Sequence, residues 1–147
     1  MPAHEWLQRG HASESPINAF TDFWRGFNNL YAITRGSSEV VRIRAFLGAN
    51  VPSAVAARIL GSHPQQVAYL LSQPVEDMRG NGRNTSDVIA EVKASSDAQA
   101  KLCGLFAIIY QVRCNLEHGQ KSPTAERDVR LCECSAPLVA AVVAHFA

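Results

Sequence analysis

The chain has 147 residues, of which 47% are hydrophobic and 18% are charged, and its formal net charge at pH 7 is +1. This length suits a single domain over residues 1–147 with its own core, and the composition excludes a disordered chain. The small net charge excludes a general nucleic-acid binder with a basic surface throughout, so any RNA contact has to come from a local cluster of cations.

The N-terminal half predicts several helices joined by short turns. Residues 1–14 carry no apolar run of secretory length and predict a lead-in with a short helical turn around Trp6. Ser15 and Pro16 are a helix start signal, and we expect that helix to run to Gly36. Its apolar stripe comprises Ile17, Phe20, Phe23, Trp24, Phe27, Leu30 and Tyr31. Shorter helices are predicted over residues 37–48, 52–61 and 64–72.

Residues 75–85 interrupt this helical pattern. They contain two glycines, two asparagines and two arginines without periodicity, which predicts a loop that is either functional or mobile. A brief helix is predicted over residues 86–94. The four cysteines form no C-x-x-C pair and no zinc spacing, so we expect them to be buried packing residues.

The stretch from Asp97 to Gly119 predicts the central helix of the fold. Its apolar residues recur at three- and four-residue spacing, and a second face carries small residues over which another backbone can approach. Arg113 falls within the apolar stripe. A guanidinium cannot lose its proton, so Arg113 needs either an acidic partner or an interface that handles anions.

The end of this helix admits two interpretations. Gly119 is a usual stop signal, and a histidine at position 118 is favoured by the helix dipole. Arg113 and Glu117 are four residues apart and can form an ion pair. From spacing alone, a structural helix end and a catalytic site are about equally supported.

The last predicted helix covers residues 125–146. Its longest apolar stretch, from Pro137 to Ala144, is too short to span a bilayer of ~30 Å, so we expect a cytoplasmic protein without a membrane partner. No convincing strand is present. The sequence therefore predicts an all-α fold, an up-and-down helical bundle of four to five main helices with short extra helices.

Two blocks of the sequence resemble HEPN domains, small helical proteins that are often metal-independent ribonucleases. Residues 113–119, RCNLEHG, are similar to the R-x4-H-G signature of that family, and Lys121 and Arg127-Asp128 also fit its pattern. The second block runs from Trp6 to Gly10 and continues with the aromatic residues Phe20, Phe23, Trp24, Phe27 and Tyr31, together with Asn28. One branch of the family modifies nucleotides with a tyrosine two places after the histidine; Gln120 stands there in this chain, which argues against that chemistry.

The resemblance implies a HEPN-like homodimer whose two motifs meet at the two-fold axis. It assigns catalytic roles to Arg113 and His118 and substrate-binding roles to Asn115 and Lys121, with RNA as substrate. It implies no metal and no cofactor, because the 2′-hydroxyl of the RNA is the attacking group, and a toxin or defence component would have a cognate antitoxin protein as a partner.

Two alternatives remain open from the sequence. The first is a non-catalytic HEPN module that binds a nucleotide, nucleic acid or a partner protein, and the near-neutral charge and Cys114 favour it. The second is a helical dimer with only a structural role. An Arg113–Glu117 pair within one protomer, together with a solvent-facing His118, would favour this second alternative.

Overall fold

The computed structural model describes residues 1–118 and 125–147, and that part of the chain forms eight helices. They are α1 (Ala3–Ala12), α2 (Pro16–Tyr31), α3 (Glu39–Asn50), α4 (Ser53–Ser62), α5 (Pro64–Ser72), α6 (Ser86–Ala94), α7 (Ala98–Glu117) and α8 (Glu126–Phe146). Within these residues one isolated antiparallel β-bridge, between Glu76 and Asn84, is the sole β pairing. The predicted all-α helical bundle is confirmed.

The first helix, α1, is longer than the short turn predicted around Trp6. Two glycines explain its close packing on α2. A Cβ at Gly10 would lie 2.3 Å from Cε1 of Phe23, and a Cβ at Gly26 would lie 3.2 Å from Cβ of Trp6. Each glycine lets the facing helix approach where a side chain would collide.

The second helix ends at Tyr31, so the prediction that it runs to Gly36 is wrong. Its start is as predicted, because the Ser15 hydroxyl accepts a hydrogen bond from the Asn18 backbone N–H at 3.3 Å. Tyr31 is fully buried, whereas Ile33 is 91% exposed. The apolar stripe thus has no inward residue beyond Tyr31, and the chain turns there instead of at the glycine.

The central helix, α7, packs against α3, α4 and α6. The predicted cap is confirmed, since the Asp97 carboxylate accepts a hydrogen bond from the Ala100 backbone N–H at 3.0 Å. The small face is also used as predicted: a Cβ at Gly104 would lie 2.4 Å from Cγ2 of Val92 in α6. Its buried residues are Leu102, Cys103, Gly104, Leu105, Phe106, Ile108, Ile109, Val112 and Asn115.

Aromatic side chains join α2 to α7 across one continuous apolar core. The Phe27 ring meets the Phe106 ring edge to face, with centroids 5.0 Å apart. Trp24 lies 6.3 Å from Tyr110, one turn further along α7. This packing places the C-terminal end of α7, which carries Arg113, beside the N-terminal half of α2.

The last helix, α8, is long and apolar enough to cross a membrane by length and composition alone. Of the most apolar stretch of this helix, 56% is buried inside the protein, and helices in a protein core can be equally long and apolar. Its inner face packs against α2 and α5. Three of the four cysteines, Cys103, Cys132 and Cys134, are buried as predicted, while Cys114 is partly exposed.

Candidate functional site

Arg113 lies in the last turn of α7 between two carboxylates. Its Nη1 is 2.9 Å from Oε2 of Glu117, and its Nη2 donates a hydrogen bond to Oε1 of the same residue at 3.2 Å. Nη1 is also 3.8 Å from Oε2 of Glu39, at the start of α3. The side chain of Arg113 is 26% exposed. Of the two possibilities that the sequence left for this cation, the structure shows acidic partners within one chain.

Glu39 is fixed by a hydrogen-bonded chain that the sequence did not reveal. The buried Tyr31 hydroxyl donates to Oε1 of Glu39 at 2.6 Å and accepts from the Asn28 side-chain amide at 2.9 Å. Burial, followed by the hydrogen bond to Glu39, raises the pKa of Tyr31 above its ordinary value. Tyr31 therefore stays a neutral donor at physiological pH and holds one carboxylate oxygen in place while the other faces Arg113.

A groove of about 400 Å³ runs between α2 and the end of α7. Its floor contains the nearly fully buried Phe20 and Trp24, and Ile17 and Leu116 are partly buried beside them. Its polar lining consists of Thr21, Arg25, Arg113 and Glu117. An apolar floor with two guanidinium groups at its edge suits a ligand that has an apolar body and a negative charge.

His118 is the C-cap residue of α7 and directly follows its last residue, Glu117. Its backbone N–H donates to the carbonyl oxygen of Cys114 at 3.1 Å, and its side chain is exposed. It does not line the groove that contains Arg113. One protomer therefore presents an ion-paired Arg113 and an exposed His118, which is the arrangement that the structural alternative predicts.

Asn115 is only 1% exposed and uses its amide inside the protomer. Its oxygen accepts hydrogen bonds from the Met78 backbone N–H at 3.1 Å and from the Gln111 side chain at 2.9 Å. Its nitrogen donates to the carbonyl oxygen of Glu76 at 2.8 Å. The substrate-binding role implied by the resemblance stays a prediction, and these contacts give Asn115 a different task, which is to fasten loop 75–85 to α7.

Loop 75–85 is an ordered hairpin-like turn. The buried Asp77 carboxylate binds the Arg79 guanidinium at 2.7 Å and accepts from the Asn81 side chain at 2.9 Å. These hydrogen bonds, that from Arg79 first, hold the pKa of Asp77 well below its usual value. Gly80 and Gly82 have positive φ angles of 77° and 76°, which glycine adopts without strain.

Cys114 follows Arg113 directly, at a position where the HEPN domains that this stretch resembles usually have a polar residue. Burial raises the pKa of its thiol, and its hydrogen bond with Tyr110 opposes this only in part. The pKa of Tyr110 is raised as well, chiefly by burial. Both groups are therefore protonated near neutral pH, so Cys114 is a packing residue with a polar edge and not a thiolate nucleophile.

Lys121 and Arg127 are two further residues that fit the pattern of the motif. Lys121 lies outside the described residues. Arg127 donates to the carbonyl oxygens of Gln73 and Pro74 at 3.3 and 3.2 Å and so fastens α8 to the end of α5. In residues 1–118 and 125–147, no group of three or more His, Cys, Asp or Glu side chains is placed to hold a metal ion.

The chemistry that one protomer offers is thus a partly buried cation between two carboxylates, an apolar groove beside it, and an imidazole just beyond the helix end. His118 lies five residue steps after Arg113, which at about 100° per step turns the two side chains roughly 140° apart around the helix axis. Bringing both to one phosphate requires either rearrangement at the helix end or a second copy of the chain.

Comparisons with protein-family models, with curated proteins and with solved structures found no match for this chain.

Proposed function

We propose that the chain is a HEPN-type, metal-independent endoribonuclease that acts as a homodimer, with one active site built from the motifs of both subunits. The observation that carries the proposal is Arg113 itself: its side chain is 26% exposed at the edge of an apolar groove, five positions before an exposed histidine. The R-x4-H-G resemblance supplies the reaction class.

In the proposed reaction the RNA supplies its own nucleophile. The 2′-hydroxyl attacks the adjacent phosphorus while the His118 imidazole removes its proton, and the bond to the 5′-oxygen breaks. The histidine of the second subunit protonates that leaving oxygen, so the products are a 2′,3′-cyclic phosphate and a free 5′-hydroxyl. The Arg113 guanidinium donates to the phosphate oxygens and stabilises the charge that grows on them.

The pair between Arg113 and Glu117 is weak enough to open for a phosphate. Glu117 is 57% exposed, and an exposed pair four residues apart on a helix contributes about 0.3–0.5 kcal/mol. Glu39 is only 21% exposed and is held by Tyr31, so it stays in place when Glu117 moves away. Glu39 thus orients the guanidinium, whereas Glu117 competes with the substrate.

The test is cleavage of a defined RNA in excess EDTA, with mass spectrometry of the 3′ ends. We expect cyclic phosphate products, and a loss of at least 100-fold in rate for Arg113→Ala and for His118→Ala, on the order of what such groups contribute. Matched controls are Arg130→Ala and His145→Ala, which remove an exposed arginine and an exposed histidine elsewhere. Wild-type rates in either motif variant would overturn the proposal.

Two further measurements test the proposed nuclease. Glu117→Gln removes the negative charge that competes with the RNA phosphate for Arg113, so we expect a lower KM for RNA with kcat retained. Light scattering should show a dimer at concentrations where the enzyme is active, and an active monomer would contradict the composite site.

The second candidate function is a non-catalytic module that binds an anionic ligand or partner, and the small net charge of the chain and Cys114 beside Arg113 favour it. Its expected results are RNA binding without turnover and binding that survives His118→Ala. The two candidates therefore give opposite outcomes in the same pair of assays.

A further inference from the structure

A second cavity continues the groove at Arg113 along the surface of α2. It has a volume of about 480 Å³ and lies between the end of α1 and the start of α2. Thr21 and Arg25 line both cavities, and Arg9 lines the second. One surface therefore leads from Arg113 over Thr21 and Arg25 to Arg9; we name these four residues the α2 track.

The far end of the α2 track holds two cations on one aromatic ring. The guanidinium carbons of Arg9 and Arg25 lie 5.0 and 5.1 Å from the centroid of the Trp6 ring. Each cation is attracted to the face of the ring, and both arginines also line the second cavity. An anion in that cavity would therefore be attracted by both cations.

The charge of the second cavity favours an anion. Its lining contains Arg9, Arg25 and one carboxylate, Asp22, whereas Arg113 at the other end lies between Glu39 and Glu117 and is left with one carboxylate when Glu117 moves away. The Asp22 side chain is 13% exposed, and its carboxylate lies 3.5 Å from Nη1 of Arg25, whose side chain is 55% exposed. Most of the donors on Arg25 are therefore open to a ligand, and Glu117 is the exposed carboxylate already expected to move.

We propose that the α2 track binds the single-stranded RNA that flanks the scissile bond; the identification of the ligand as RNA rests on the proposed nuclease function. The groove beside Arg113 takes one unpaired nucleotide, its base against the apolar floor and between guanidinium planes, on which unpaired bases stack. Arg25 and Arg9 then contact the next phosphates along the strand. Single strands are bound by such combinations of a cationic path and a flat apolar surface.

The test is binding of a fluorescein-labelled 2′-O-methyl oligouridine dodecamer, which lacks the 2′-hydroxyl and cannot be cleaved. Fluorescence anisotropy over a salt series gives both the affinity and the number of phosphate contacts. We expect Arg25→Ala and Arg9→Ala each to weaken binding several-fold and to reduce the slope of log K against log[salt] by about 0.7, the value for one contact to a single strand. Arg58→Ala, on the exposed face of α4, is the matched control.

Arg9 and Arg25 both pack on Trp6, so thermal unfolding of each variant accompanies the binding measurement. Arg25→Lys keeps the charge and most of the aliphatic stem, and it should retain the salt slope that Arg25→Ala loses. If the alanine variant lowers affinity without changing the slope, or if the lysine variant loses the slope as well, the proposed phosphate contact is wrong.

The outcomes also separate this inference from the proposed function. If Arg25→Ala and Arg9→Ala bind the dodecamer as tightly as Arg58→Ala does, the α2 track is overturned even when RNA cleavage depends on Arg113. If Arg25→Ala and Arg9→Ala lose binding but the wild type cleaves no RNA, the proposal that the α2 track binds RNA is kept and the nuclease proposal fails. Loss of self-association in Arg25→Ala, with no effect on the dodecamer, would identify the surface as a protein interface and overturn the track.

Discussion

Substitution of Asn115 by alanine measures whether this residue holds the fold or the substrate. The change removes three hydrogen bonds, those with Met78 N–H, the Glu76 carbonyl oxygen and the Gln111 side chain. Each contributes about 1 kcal/mol net, and an unsatisfied buried partner costs more. Because Met78 is 39% exposed, water can replace part of the loss. We therefore expect unfolding free energy to fall by about 2–3 kcal/mol.

The assay is urea unfolding at pH 7, supported by the melting temperature, which should fall by about 5–10 °C for a chain of this size. Amide hydrogen exchange gives the local reading, because the Met78 N–H should lose its protection before the helices do. Asn18→Ala, an exposed asparagine in α2, is the matched control and should stay within about 0.5 kcal/mol of the wild type.

Asn115→Asp sharpens the same test. The aspartate keeps an acceptor for Met78 but, when ionised, places a buried negative charge against the Glu76 carbonyl oxygen, so its pKa in the folded state is raised. Its stability should therefore recover, relative to the wild type, as the pH falls through that raised pKa, because the protonated acid can again donate to Glu76. A stability of Asn115→Ala within about 0.5 kcal/mol of the wild type, with a large loss of RNA cleavage, would refute the reasoning and return Asn115 to the substrate.

Three further predictions concern packing, acid stability and the orientation of the site. Gly104→Ala should lower the unfolding free energy by about 1–3 kcal/mol in chemical denaturation, since its Cβ meets Val92, whereas Gly48→Ala, with open space around it, should raise it by about 0.5–1 kcal/mol. Asp77→Asn should cost stability near pH 6, and that cost should shrink below about pH 4 in pH-dependent unfolding. A carboxylate whose pKa is lowered in the folded state stabilises the fold fully above its unfolded pKa of ~3.9, and it loses this effect progressively as the pH falls from there through the folded pKa. Under the proposed nuclease function, Glu39→Gln should lower kcat for RNA cleavage about tenfold without changing the molar mass in light scattering, because it removes the carboxylate that orients the Arg113 guanidinium; an unchanged kcat would contradict the orienting role.

Helix positions followed from the sequence wherever the end signal is local. The boundaries of α5 and α6 were predicted to the residue, and the Asp97 cap of α7 was predicted as well. Caps, prolines and apolar periodicity are properties of neighbouring residues, so they can be recognised in the sequence. The end of α2 was missed because Gly36 offers a local stop signal, whereas the helix ends at Tyr31, whose hydroxyl binds Glu39 at the start of α3. The full length of α1 was missed because glycines that admit a facing helix have no periodic signature.

The candidate site divides along the same line. The sequence placed Arg113 and His118 at the end of a buried helix and required for Arg113 either an acidic partner or an anion-handling interface. The pair with Glu117 could be predicted from the four-residue spacing. Glu39 could not be read, because an acidic residue directly after the cap of a helix already has a local explanation in the helix dipole. The inward direction of Asn115 was equally hidden, since loop 75–85, which it binds, has no periodic pattern.

The charge at the site decides how two subunits would have to meet. In one protomer Arg113 faces Glu39 and Glu117, so the local sum is negative, and two copies brought together without change would repel both each other and a phosphate. A composite site therefore requires the exposed Glu117 to move away from Arg113 while the less exposed Glu39 stays in place. The summed charge around Arg113 in each subunit then changes from negative to neutral. The phosphate is then held through directed hydrogen bonds from Arg113 instead of through a large positive field, and this agrees with a chain whose net charge is only +1.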